Sequence, residues 1–292
     1  MRSALRWAGI AIGALVVLAV ILYVTVYVAS ERVVSRTYPF KPVAIAIPSD
    51  AESIAEGRRL AQIHMCFGGC HGKEVEGEVL FDDPMIAHVV APNLTASTAR
   101  YRDDELAGMI KNGVRPDGHS MVVMPSDVLR LLSDEDLGRI IAFLRSVPSA
   151  SGPTPDFRLG PLGRIGVTLG QLKTMAQLVA EAAPTPDADG ASAARGRYLA
   201  STICAHCHAT NLAGAPAGPG TDASPPLQIV AAYSPEAFTE LMRTGTALGD
   251  RKLGMMREVA LSSLSKLTDE EVADLYGYLR ALPALLPASA AR

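Results

Sequence analysis

Cysteine is scarce in this chain: 292 residues carry four, and all four fall in two short clusters. None is left over to build structural disulfides. An excess of positive charge is also missing. Lys and Arg number 27 against 30 Asp and Glu, a formal charge of −3, so nothing marks nucleic acid as a partner. Strand patterning is sparse as well. The flanks of the cysteine clusters do not alternate strands with helices, as a thioredoxin-like redox motif requires.

What is present is Cys204-Ala205-His206-Cys207-His208, the C-x-x-C-H pattern of c-type haem attachment. Two thiols add to the two vinyl groups of a haem, and the histidine after the second cysteine ligates the iron from the proximal side. A near copy lies upstream, Cys66-Phe67-Gly68-Gly69-Cys70-His71, with three residues between the cysteines. The competing zinc reading needs four ligands, usually from two closely spaced cysteine pairs. Here the pairs lie far apart and each has its own histidine.

The motifs sit inside a longer repeat. Gly196-Arg197-Tyr198-Leu199-Ala200 echoes Gly57-Arg58-Arg59-Leu60-Ala61, and Leu267-Thr268-Asp269-Glu270-Glu271 echoes Leu132-Ser133-Asp134-Glu135-Asp136. Both motifs resemble those of bacterial cytochromes c. The whole chain resembles a membrane-anchored dihaem cytochrome c, with two class I-type domains in tandem.

The resemblance implies an all-α fold: an anchor at 7–30, a first haem domain at 50–149, a connector at 150–190 and a second haem domain at 191–287. It implies two covalently bound haems, one on Cys66 and Cys70 and one on Cys204 and Cys207, with His71 and His208 as proximal ligands. The family's distal ligand is a methionine in a loop before the last helix. Met124, followed by Pro125, takes that place in the first domain; Met121 fits less well and His119 is an alternative. In the second domain Met256 is preferred to the adjacent Met255, because Met256-Arg257-Glu258-Val259 resembles a family variant. Pro92 resembles the proline whose carbonyl accepts a hydrogen bond from the proximal histidine, and Pro225-Pro226-Leu227 matches the same segment more weakly.

Capping patterns place the helices. Asp50, Asp103-Asp104-Glu105, Ser133, Ser234-Pro235 and the Thr268/Glu271 pair open them. Leu137, Ile140, Ile141 and Leu144 then share one face. Gly57 stands where the family has a small residue at a helix crossing. The stretch after His71, rich in Gly, Asp and Pro, reads as loop. The connector reads as poor in regular structure, with one short helix at 171–181.

The run Ile10 to Val28 is almost wholly apolar, and no charge occurs from Trp7 to Ser30. That is long enough to span a bilayer. Basic residues flank it on both sides, so the positive-inside rule decides little. Val28-Ala29-Ser30 is a weak match to a signal-peptide cleavage site, but the apolar core is longer than a signal h-region. Covalent haem attachment takes place outside the bacterial cytoplasmic membrane, so the resemblance implies periplasmic haem domains tethered to the inner membrane.

A haem held by His and Met has both axial positions filled, which suits electron transfer. The expected role is a non-enzymatic relay between a dehydrogenase or quinol-linked donor and an oxidase or reductase, similar to the cytochrome subunits of periplasmic dehydrogenases. Those often carry three haems, whereas this chain has sites for two. A dihaem peroxidase, with an open or displaceable distal site, is the alternative from another class. A cysteine-ligated thiosulfate-oxidising enzyme has no spare cysteine to draw on.

Overall fold

The apolar run forms one long helix, α1 (Arg2–Val34). Around it the computed structural model describes residues 2–187, 190–218 and 223–285. The 188–189 part of the connector and the 286–287 end of the second haem domain lie outside the described residues. From Ser35 the chain does not swing free. Tyr38 N–H donates to the Gly118 carbonyl and Val43 N–H to that of Asp104, while Val43, Ile45 and Ile47 pack on the first core.

That core is built on α2 (Ala51–Ile63), opened by the Asp50 carboxylate accepting from Ser53 N–H at 2.8 Å. After Cys70 come β1 (Glu78–Asp83), β2 (Ala87–Ala91), α3 (Leu94–Arg100), α4 (Asp103–Asn112), α5 (Ser126–Leu129) and α6 (Asp134–Ser146). Helix α2 crosses α6 at Gly57, where an added Cβ would lie 1.9 Å from the Arg139 carbonyl oxygen. Leu137, Ile140, Ile141 and Leu144 of α6 are all buried, so its apolar face points inward as its spacing requires.

The connector is more ordered than its Pro and Gly content suggests. It holds β3 (Asp156–Leu159), α7 (Pro161–Thr168) and α8 (Met175–Glu181). Strands β1, β2 and β3 form an antiparallel sheet in that order, with Ala87 opposite Leu159 and a bulge between Val79 and Phe81. This sheet departs from the mainly helical plan, and it takes up part of the loop expected after His71. Helix α8 begins at Met175, later than position 171, because Thr174 and Gln177 close a capping box there.

The second half repeats the plan. Its helices are α9 (Ala191–Leu199), α10 (Ala205–His208), α11 (Pro235–Thr244), α12 (Met255–Ser262) and α13 (Asp269–Leu285), with a short β4–β5 ribbon (Thr246–Ala247, Arg251–Lys252). Helix α9 crosses α13 at Gly196, where a Cβ would meet the Asp274 carbonyl oxygen at 2.2 Å. Ser234 caps α11, and Thr268 with Glu271 forms a capping box at the start of α13.

The two halves dock through equivalent positions. In the repeat Arg59 corresponds to Tyr198, and Asp136 to Glu271. Arg59 donates to Glu271 through both terminal nitrogens, at 2.8 and 2.9 Å, and Tyr198 Oη donates to Asp136 Oδ2 at 2.5 Å. Each half thus reaches the third residue of the other's last helix, the exchange expected of a two-fold-related interface.

Candidate functional site

Helix α2 delivers the first motif at its C-terminus. Met65 turns left-handed (φ +57°), Phe67 is extended and Gly68 is left-handed (φ +68°), so Cys66–Cys70 forms a widened turn. Gly68 takes that conformation without the strain a Cβ would bring. The widened turn absorbs the extra residue of C-x-x-x-C-H. In the second motif Ala200–Cys204 widens instead, and Cys204 to His208 stays helical.

Despite the unequal spacing, the two histidines finish alike. His71 Nδ1 lies 2.8 Å from the Pro92 carbonyl oxygen, and His208 Nδ1 lies 2.8 Å from that of Pro225. A carbonyl only accepts, so Nδ1 carries the proton in both rings and Nε2 keeps its lone pair. This is the outer-shell bond that fixes a ligating imidazole's tautomer and orientation. Burial lowers the pKa of both rings, against the opposing effect of the proline carbonyls, which favours the neutral form a metal needs.

His71 opens on a cavity of about 1320 Å³, whose lining includes Cys66, Cys70, Met121, Met124 and Leu144. Ligand pockets ordinarily run roughly 300–1,000 Å³, so this is room for a large planar group. Met124 packs on the first core and lines the cavity. Met121 and His119 also line it, though His119 Nδ1 lies 3.3 Å from Asp117. In the second half Met256 packs on the core while Met255 is 41% exposed.

The thiols are held away from thiolate chemistry. Burial pushes Cys66 and Cys204 up to about 12, and raises Cys70 and Cys207. A zinc ligand or redox nucleophile is favoured by the opposite shift. Among the described residues no three His, Cys, Asp or Glu side chains gather as a metal cage. In the first half the residues instead fit a haem: paired cysteines, a neutral imidazole whose Nε2 keeps its lone pair, and a roomy apolar cavity with a thioether in its wall; the second half repeats the cysteines and the imidazole.

Residues 52–144 match the family described as cytochrome c oxidase, cbb3-type, subunit III, and residues 193–283 match the family described as cytochrome c. Each half of the chain thus holds a cytochrome c domain. Among curated proteins it is similar to the fructose dehydrogenase cytochrome subunit of Gluconobacter japonicus, 26% identical over 277 residues. The match covers 85% of this chain and 56% of that protein, so the chain spans little more than half of its relative's length. Cytochrome c domains imply covalently bound haem c, whose iron would supply one-electron chemistry.

The two attachment motifs also come together. His206 and Cys207 of the second cytochrome c domain line the first domain's cavity, and the Cys207 thiol contributes to the raised pKa of Cys70 after burial. Sequence reasoning missed this juxtaposition because it depends on docking. It also missed Arg58, whose guanidinium sits over the Phe67 and Phe143 rings at 5.0 and 5.5 Å and braces the first motif. The echo of Gly57-Arg58 in Gly196-Arg197 was the available signal. The partners differ, however: Arg197 donates to the Thr185 and Pro186 carbonyls instead.

Proposed function

We propose that the chain is a membrane-tethered, periplasmic electron carrier holding two covalent haems. Cys66 and Cys70 carry the first, with His71 and Met124 as axial ligands. Cys204 and Cys207 carry the second, with His208 and Met256. The haem domains lie on the outer side of the bacterial cytoplasmic membrane, held there by α1. Electrons enter from a dehydrogenase or a quinol-linked donor and leave to an oxidase or reductase.

The observation that carries this reading is the matched pair of histidine–proline bonds at 2.8 Å. Both halves prepare an imidazole in the same tautomer, so both are equipped to ligate iron. Met124 and Met256 would each fill the remaining position on an iron, leaving no open site for a substrate, and a thioether there would raise the potential relative to a second histidine. The relative's name, a dehydrogenase cytochrome subunit, supports a dehydrogenase as donor. The juxtaposed motifs support transfer between the two centres within one chain.

The test is substitution of each methionine in the holoprotein. Met124→Ala and Met256→Ala should each remove one Met-to-iron charge-transfer band and lower one midpoint potential. Unchanged bands and potentials would overturn the ligand assignment, and rapid peroxide turnover by the unsubstituted protein would overturn the carrier role.

A further inference from the structure

The connector helix α7 has no part in holding haem, yet its placement is specific. It packs beside the outer end of α1. The Arg164 guanidinium lies 3.9 Å from the centre of the Tyr27 ring and donates to Ser30 Oγ at 3.0 Å and Glu31 Oε2 at 3.1 Å. One turn further on, Thr168 Oγ1 donates to the Val26 carbonyl at 3.4 Å. As α7 advances by four residues its contacts on α1 move back by about four, so the two helices run antiparallel and the end of α7 is level with Val26. Ser30 is fully buried in this contact.

Val26 and Tyr27 belong to the apolar run, not to the domain beyond it. From Trp7 to Tyr27 the helix rises about 30 Å, the thickness of a bilayer's hydrocarbon core. Trp and Tyr at those two places mark the interfacial levels. A helix end level with Val26 is therefore level with the outer face of that bilayer.

The exposed face of α7 has matching chemistry. Leu162 and Ile165, with Leu169 just past the last residue of α7, fall on one side, at 52%, 41% and 66% exposure. Arg164 and Thr168, which grip α1, lie on the neighbouring side, Thr168 about 60° round the helix from Ile165, so the stripe borders the α1 contact. Met85, also exposed, continues the patch, since its carbonyl accepts from Leu162 N–H.

We propose that α7 is an interfacial foot: Leu169, with Ile165 one turn above it, enters the interface of the outer leaflet beside α1, while Leu162 stays at its outer edge, and this fixes how the first haem domain stands on the membrane. Lipid is the occupant because the patch continues the exposed apolar surface of α1 at the depth where that helix meets the interface. The strapped segment after Ser35 leaves little slack to lift the domain off. The inference rests on the reading of α1 as a membrane anchor.

The test uses the full-length holoprotein in phosphatidylcholine–phosphatidylglycerol nanodiscs. A benzophenone amino acid replaces one residue at a time: Leu15 in α1, Ile165 or Leu169 in α7, and Arg158 as a position on the water side. Visible haem content checks folding of each variant. After illumination, lipid adducts are counted by intact mass. The proposal expects adducts at 165 and 169 comparable with those at 15 and well above those at 158. Adducts at 15 without adducts at 165 and 169 would overturn the foot and leave the anchor standing. Equal labelling at 158 would also overturn the foot, and failure at 15 would remove the anchor with it.

Discussion

Met255 and Met256 are neighbours in sequence but not in environment: one is turned to solvent and the other packs on the second core. Met255→Ala should therefore leave the second haem's charge-transfer band intact where Met256→Ala abolishes it, and the reverse pattern would exchange their roles. His64, at the seam between the halves, is a different kind of residue. Its Nδ1 lies 3.1 Å from the Thr202 carbonyl oxygen, and burial pushes its pKa down from 6.5 to about 4 against that bond. The fold favours the neutral ring, while the unfolded chain binds a proton near 6.5. This contribution is fully present above pH 6.5 and is lost as pH falls towards 4. The slope it adds is at most about 1.4 kcal/mol per pH unit. His64→Gln keeps a donor for Thr202 without titrating, so denaturant unfolding followed from pH 7 to 4 should show a shallower loss of stability. An unchanged slope would place the proton elsewhere.

At the scale of elements, helix starts were legible because capping is local. Asp50, Ser133, Ser234 and Thr268 each accept from a backbone N–H three residues on. The sheet was not legible. Strand β2 pairs with β3 some seventy residues later in the chain, and a segment such as Asp156–Leu159 becomes a strand only once that partner is in place. Helix α7 carried a usable sign, Gly160 followed by Pro161 at the first helical position, but the surrounding prolines obscured it. The His71–Pro92 bond could be expected from the motif; the His208–Pro225 bond was more weakly signalled and needed the structure. Gly57 was also readable, and its reason is now explicit. Gly57→Ala and Gly196→Ala should each cost roughly 1–3 kcal/mol, since the new methyl meets a carbonyl across the helix crossing. Gly277 in α13 has nothing within 4 Å of its would-be Cβ, so Gly277→Ala should gain up to about 1 kcal/mol. Thermal melts of the three variants check this ordering.

At the scale of the molecule, two cytochrome c domains are joined by a contact that treats them as equals. Arg59 with Glu271, and Tyr198 with Asp136, tie each first helix to the other domain's last. Glu271 is buried and also caps α13. Glu271→Ala should cost about 2–3 kcal/mol through the lost ion pair and cap, and with Tyr198→Phe it should split one unfolding transition into two. A single, unshifted transition would mean that the domains do not stabilise one another. This docking brings Cys207 to the edge of the cavity that His71 faces, which makes the chain a relay only if both sites are loaded. The deciding measurement is the covalent haem count, by intact mass and by haem-bearing peptides from the membrane-expressed protein. Two haems per chain are expected, one on the Cys66–Cys70 peptide and one on the Cys204–Cys207 peptide. One haem, on the second peptide alone, would contradict this.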